Sequence, residues 1–206
     1  MSNMSTHLTF SASVPVKWES REEGYKATLK PGGVGAEIGV YNGDNSANLS
    51  RLCSPSKMYL IDKWMVKGMP KDKLDDHLAR KQNVMDSFCE TGLAEVLDMS
   101  SEDASYEIED KTLDWVFIDG NHCYPMALFD LQLYLPKVKV GGIVMLHDFT
   151  VKIARGGVIE AVWYQMKKYN DMKVLGKTSE KNPKLLKQPT IFLKKISHNQ
   201  IYTKWW

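Results

Sequence analysis

Apolar residues in this chain fall into short, dense runs separated by longer stretches in which they recur at helical spacing. The run VGAEIGV, residues 34–40, has too few polar positions for a half-solvated strand and predicts a buried one. YNGDNSANLSRLC follows as a turn leading into a helix with Leu49 and Leu52 on one face, and KMYLID, residues 57–62, repeats the strand pattern. Between Asp72 and Glu90, Leu74, Leu78, Val84, Met85 and Phe88 stand at mostly helical spacing among charges, which predicts one long helix or two short ones. LAEVLDM and TLDWVFID predict the third and fourth strands, YPMALFDLQLYLPKV a helix with Leu128, Leu131 and Leu135 towards the sheet, and GGIVMLHD the fifth strand. GVIEAVWYQMKKY predicts a further helix, and MKVLGK with QPTIFLKK the last two strands, which the polar SEKNPKLLK joins as an antiparallel hairpin at one edge.

Strands alternating with helices imply right-handed crossovers and an α/β, Rossmann-like, doubly wound and mainly parallel sheet covered on both faces. Seven strands are expected. Residues 1–33 read as a flank in which REEGYKATLK forms a short helix ended by Pro31-Gly32-Gly33, residues 34–195 as one domain, and residues 196–206 as a tail. Trp205 and Trp206 in that tail offer cover for an apolar patch or a contact with a second copy, so a homodimer is one expectation and a disordered end another.

A length of 206 residues suits a single domain, and the formal net charge of +2 gives no ground for nucleic acid or an anionic membrane as partner. No stretch approaches the roughly 18 apolar residues of a membrane helix, and the N-terminus lacks a basic region followed by a long apolar one. Cys53, Cys89 and Cys123 form no C-x-x-C pair and read as reduced thiols, so a cytoplasmic setting is expected.

In an open α/β sheet, ligands gather at the carboxyl ends of the central strands. Gly39 and Gly43 there permit a tight turn with close backbone approach to a ligand before a helix N-terminus, although the dinucleotide pattern G-x-G-x-x-G is absent. Glu37 within the strand is costly to bury unless a cationic or donating group meets it, which favours a partly cationic ligand. Asp62 ends its strand about twenty residues beyond the turn, where a carboxylate can accept both ribose hydroxyls. Ser101 and Asp103 follow the third strand, within reach of an adenine edge.

The strands on the other side end in Asp119 with His122, in FIDGNHCYP, and in His147 with Asp148, in MLHDF. If the two strands are neighbours, four groups converge; carboxylates suit hard cations such as Mg²⁺, and imidazole suits Mn²⁺, Fe²⁺ or Zn²⁺ better. The lesser readings are Asp119 as a helix cap, His122 as a surface turn residue and Asp148 as a simple strand-end carboxylate, while His147 reads equally as a ligand or as a histidine that supports one. Trp64 is read either as closing over a ligand or as packing.

Glu37-x-Gly39-x-x-x-Gly43, Asp62 and Ser101, in that order, resemble the cofactor elements of class I S-adenosylmethionine-dependent methyltransferases, over roughly Val34 to Tyr169. IDGNHCY followed by GGIVMLHDF resembles the subgroup of macrocin- and mycinamicin-type sugar O-methyltransferases and the proteins called cephalosporin hydroxylases. The resemblance implies S-adenosyl-L-methionine held by Glu37, Gly39, Gly43, Asp62, Ser101 and Asp119, and a divalent metal, Mg²⁺ or Mn²⁺, on Asp119, His147 and Asp148. It further implies that His122 is the general base, assisted by Asp119, in O-methylation of a sugar, glycoside or other small hydroxylated molecule. Some members carry a glutamate where this chain has His147, which weighs against an all-oxygen Mg²⁺ site. The competing classes are an NAD-dependent oxidoreductase, against which stand the missing glycine pattern and the absence of a Tyr-x-x-x-Lys pair, and an inactive methyltransferase-like binding protein. The amino-methylation motifs N-P-P-Y and D-P-P-Y are absent.

Overall fold

The computed structural model describes residues 4–65, 68–89, 92, 94–179 and 188–198. The chain runs α1 (Met4–Ser13), β1 (Val16–Trp18), α2 (Arg21–Thr28), β2 (Val34–Ile38), α3 (Asp44–Cys53), β3 (Lys57–Asp62), α4 (Lys71–Phe88) and β4 (Ala94–Asp98). It continues through α5 (Ser101–Glu107), β5 (Leu113–Ile118), α6 (Tyr124–Tyr134), β6 (Val138–Leu146), a short 3₁₀ turn, α7 (Gly157–Tyr169), β7 (Met172–Thr178) and β8 (Ile191–Lys195). The strands form one sheet in the order β1-β7-β8-β6-β5-β2-β3-β4.

All neighbours in the sheet are parallel except β8, which runs antiparallel to both β6 and β7. The mixed α/β architecture therefore agrees with the sequence pattern, with one correction: eight strands pair among the described residues, not seven. The extra strand is β1, which adds parallel to β7 and covers the outer side of the expected antiparallel pair. Three residues with Val16 57% exposed leave no alternation long enough to read.

Why the central strands read as nearly continuous apolar runs is clear from their two faces. Val116 and Ile118 of β5 enter one core with Leu131, Tyr134 and Val162, while Trp115 and Phe117 enter the other with Tyr25, Leu49 and Val84. A parallel strand buried on both faces has no solvent side on which to place polar residues. Leu128, Leu131 and Leu135 of the α6 region are buried as the periodicity predicts. Lys195 is also buried, and its Nζ donates to the carbonyls of Leu135 and Val138, tying β8 to the end of α6.

Helix ends follow local chemistry. Ser20 Oγ accepts from Glu23 N at 3.3 Å to start α2, and Ser100 Oγ accepts from Asp103 N at 3.1 Å to start α5. The segment from Asp72 onward is a single helix, α4, in which Val84 is fully buried and Leu78 is 39% exposed. Trp64 is 2% exposed and donates its indole N–H to the Tyr41 carbonyl at 2.7 Å, so it packs rather than covers a cleft. Cys53 is buried and Cys89 and Cys123 are exposed, all as free thiols, and no described helix is long and apolar enough to cross a membrane. Trp205 and Trp206 lie outside the described residues, as does most of the 179–187 connection.

From β2 the chain winds outward through β3 and β4, then returns to place β5 on the other side of β2 and β6 beyond it. The order reverses between β2 and β5. At such a switch point the following loops diverge and leave a crevice at the carboxyl ends.

Candidate active site

The loop after β2 forms one wall of that crevice. Gly39 has φ +86°, and a Cβ there would sit 2.2 Å from the Asp119 carbonyl oxygen. The close approach expected of this glycine is thus first to the loop after β5: its missing side chain lets the two loops touch. A backbone bond completes the join, with Asp119 N donating to Ile38 O at 2.8 Å, while Gly39 N donates to Ile61 O of β3 at 2.9 Å on the other side. Gly43, also left-handed at φ +86°, begins α3.

Glu37 is 1% exposed, and the donors that permit its burial are on α3: Asn45 Nδ2 at 3.0 Å and Ser46 Oγ at 2.5 Å. Tyr25 Oη in turn donates to Asn45 Oδ1 at 2.8 Å. Asp62 accepts from Tyr41 N and Trp64 N, both at 2.8 Å, one on each oxygen, which leaves each oxygen lone-pair capacity for a further donor. Ser101 is turned inward: its hydroxyl donates to Asp130 Oδ1 at 2.6 Å, and its carbonyl accepts from Tyr134 Oη at 2.8 Å. Over this wall leans α4, whose Arg80 guanidinium stacks 3.9 Å from the Tyr41 ring centroid while His77 meets the same ring edge-on at 6.2 Å.

Burial pushes the Glu37 carboxyl up to about 7 from 4.5, against the opposing hydrogen bonds from Ser46 and Asn45. The folded state then binds this proton more tightly than the unfolded chain. Stability from this group is full below pH 4.5 and is lost as pH rises through about 7. Glu37→Gln removes the titration. The melting temperature of the variant relative to wild type is expected to rise between pH 5 and pH 8, measured by thermal unfolding in matched buffers; a constant difference would contradict the assignment.

The opposite wall is built by β5 and β6, which pair with Ile118 beside Leu146, so Asp119 and His147 emerge side by side. His122 Nε2 lies 3.2 Å from Asp119 Oδ1 and 3.0 Å from Asp148 Oδ2. His147 Nδ1 lies 3.1 Å from Asp119 Oδ1 and 3.5 Å from Asp148 Oδ1. All four residues singled out at these two strand ends therefore converge. The tightest donor set is Asp119, His122 and Asp148, whose ligand atoms fall within 4.8 Å of one another.

Asp148 is 3% exposed and adopts φ +55°, a left-handed conformation that costs a non-glycine residue about 1–3 kcal/mol. That strain turns its carboxylate back towards His122. Burial would raise the Asp119 carboxyl, but hydrogen bonds to His122 and His147 and the charges of both rings outweigh it and hold Asp119 below its usual range. The Asp119 hydrogen bond, helped by the charge of Asp148 and opposed by burial, raises His122 above 6.5. Two carboxylates brought this close need positive charge between them, which a protonated His122 or a divalent cation supplies.

Several supporting residues are not evident from sequence. Asn45 and Ser46 read as ordinary helix-start residues, and Tyr41 as a turn residue. Asp130 sits on the buried face of α6, 3% exposed, with burial pushing its carboxyl up to about 6. A charged residue at a position where the helical period demands an apolar one is the available signal.

Comparison with known proteins places this geometry. A family model described as a methyltransferase domain matches residues 36–149. No curated protein matches significantly in sequence. Among solved structures, a Streptococcus thermophilus rRNA methylase superposes with a TM-score of 0.58 at 15% identity, over 86% of this chain and 95% of that one. A candidate rRNA-methylase of Clostridium thermocellum gives 0.63 at 14% identity, over 89% and 99%. A candidate methyltransferase of Streptococcus mutans, solved in complex with SAH, gives 0.58 at 13% identity, over 85% and 96%. At these identities the likeness establishes the fold.

Proposed function

This chain belongs to the methyltransferase-domain family, and on that premise we propose that it is an S-adenosylmethionine-dependent O-methyltransferase of a small hydroxylated molecule such as a sugar or glycoside. The observation that carries this reading is one imidazole, His122, bracketed by Asp119 and Asp148 across the switch-point crevice from the glycine turn. Family membership sets aside the oxidoreductase alternative. Gly39 to Gly43 with the α3 N-terminus, the oxygens of Asp62, and the Ser101 region are the residues that would hold the cofactor, and Glu37 keeps the turn and α3 in register. S-adenosylmethionine supplies an activated methyl group on a sulfonium.

An alcohol is a poor nucleophile until its proton has somewhere to go. His122 Nε2 faces the Asp119 and Asp148 carboxylates, which can only accept, and so keeps its hydrogen; the acceptor's proton goes to Nδ1, and the two carboxylates stabilise the imidazolium that results. Because the same carboxylates strengthen the proton already on His122 at low pH, the base must first be freed, so turnover climbs as pH rises. A divalent cation would be held by Asp119 and Asp148 with an imidazole: the set whose donor atoms gather includes His122, while the expected ligand His147 stands beside it with Nδ1 3.1 Å from Asp119, and such mixed oxygen and nitrogen donors suit Mn²⁺ better than Mg²⁺. Such a cation would lower the pKa of an acceptor hydroxyl.

Isothermal titration of metal-stripped protein with S-adenosylhomocysteine is expected to show micromolar binding. Titration with Mn²⁺ is expected to give a separate heat that is lost in Asp148→Asn and weakens as pH falls, because cation and proton compete for the same carboxylates. No cofactor binding would overturn the donor assignment, and a Mn²⁺ heat unchanged in the variant would overturn the cation site. Methyl-labelled S-adenosylmethionine offered with glycosides and, separately, with total RNA tests the acceptor. Label in RNA alone would overturn the small-molecule reading.

A further inference from the structure

The start of α5 and the middle of α6 meet beneath the loop after β5, and the contact between them is a carboxylate. Asp130 is 3% exposed, and its Oδ1 accepts from the Ser101 hydroxyl at 2.6 Å. This bond caps no helix, since Ser100 already caps α5. The second oxygen, Oδ2, has no hydrogen-bond partner among the described residues, yet it is not sealed in the core as the Trp115 indole nitrogen is. It borders Gly120, where a Cβ would stand 3.0 Å from it. Gly120 does not adopt a left-handed backbone, so what glycine provides here is the open space beside Oδ2. The same Cβ position lies 3.6 Å from Ile38 Cγ2, which puts the open oxygen at the carboxyl ends of β2 and β5, in the floor of the crevice. Gly120 and Ser101 above it are both partly exposed.

A carboxylate buried with one oxygen unbonded is costly, and a ligand N–H that donates to it offsets that cost. Ser101 sharpens the demand, because its single hydroxyl hydrogen is spent on Asp130 and its oxygen can then only accept. The pair therefore presents acceptors alone. On the cofactor reading above, on which this inference rests, the Ser101 side of the crevice receives the adenine and Asp62 the ribose hydroxyls, so the exocyclic amine is the donor that remains. We propose that Asp130 is a specificity-determining residue, which with Ser101 makes this end of the crevice accept a 6-amino purine and refuse a 6-oxo one.

Isothermal titration of the full chain with S-adenosylhomocysteine and with its deaminated form, S-inosylhomocysteine, tests the proposal. Wild type is expected to bind the amino compound about 10- to 100-fold more tightly, because the oxo group sets an acceptor against a carboxylate. Asp130→Asn offers an amide N–H in the same space and is expected to bring the two affinities within about threefold of each other. A residue that only braced α6 against α5 would weaken both ligands alike and leave their ratio intact. If that variant does not fold, the pH dependence of the wild-type ratio takes its place: below about 6 the Asp130 carboxyl holds a proton that it can donate to the oxo group, so the preference shrinks. Tyr134 of α6, raised by burial, and Asp119 of the adjoining loop, held low by its histidines, keep one protonation state from pH 5 to pH 8, and His122 meets both ligands alike. Equal binding of the two compounds by wild type, or a ratio unmoved by the variant or by pH, would overturn the role of Asp130 and leave the cofactor reading standing. Binding of neither compound would remove the cofactor reading and this inference with it.

Discussion

His122→Gln is expected to lower turnover of a hydroxyl acceptor by about 10²- to 10⁴-fold, the range lost when a positioned general base is removed. Glutamine fills similar space and can still bond to Asp119 and Asp148, but it cannot take a proton. Affinity for S-adenosylhomocysteine should stay within about twofold of wild type, because the residues assigned to the cofactor lie on the other side of the crevice. The pH profile separates a base from a residue that merely fills the site. In wild type, kcat should climb with pH through an apparent pKa above 6.5, since Asp119 and Asp148 favour the protonated ring. In the variant that limb should vanish. Wild-type turnover, or an unchanged limb, would remove His122 from the chemistry.

The second large effect concerns Gly39. Alanine at this position meets a left-handed backbone, costing about 1–3 kcal/mol, and a carbonyl oxygen 2.2 Å from its Cβ. Relieving that contact must move the Asp119 backbone, and overpacking of this kind adds about 1–3 kcal/mol. Gly39→Ala is therefore expected to lose about 2–6 kcal/mol in urea unfolding, read as a lower midpoint at constant slope. Residual folded protein should also turn over poorly, because the displaced carbonyl belongs to the residue that bonds His122. A variant of wild-type stability would mean that the two loops do not press on each other.

These residues also show what a linear sequence can and cannot carry. Strand β5 was legible because both of its faces are buried, so LDWVFI has only Asp114 to interrupt it, and the carboxylate after it stands out. The convergence of Asp119, His122, His147 and Asp148 followed from strand alternation, which makes β5 and β6 neighbours. The left-handed turn at Asp148 that aims its carboxylate was not legible, since aspartate tolerates that conformation but occurs far more often outside it. Nor were the partners of Glu37, because Asn45 and Ser46 reach it only after the glycine turn folds α3 back along β2. For α4, periodicity predicts the helix but not its depth: Val84 is buried and Leu78 is not, a choice made by where the helix rests.

The position of β8 bears on how the molecule is made. It is the last described strand in sequence, yet it lies inside the sheet between β6 and β7, with Ile191, Phe192 and Leu193 each 0% exposed. During synthesis, β6 can be complete while its outer backbone groups still wait for a partner dozens of residues away. That interval leaves Ile143 to Leu146, an apolar strand with an open edge, ready to pair with another nascent chain. Closure by a late, distant strand makes folding slow relative to helix formation and concentrates the risk of aggregation in one step, so chaperone capture of a partly made sheet would act on the same strand that delivers Asp148 to the active site.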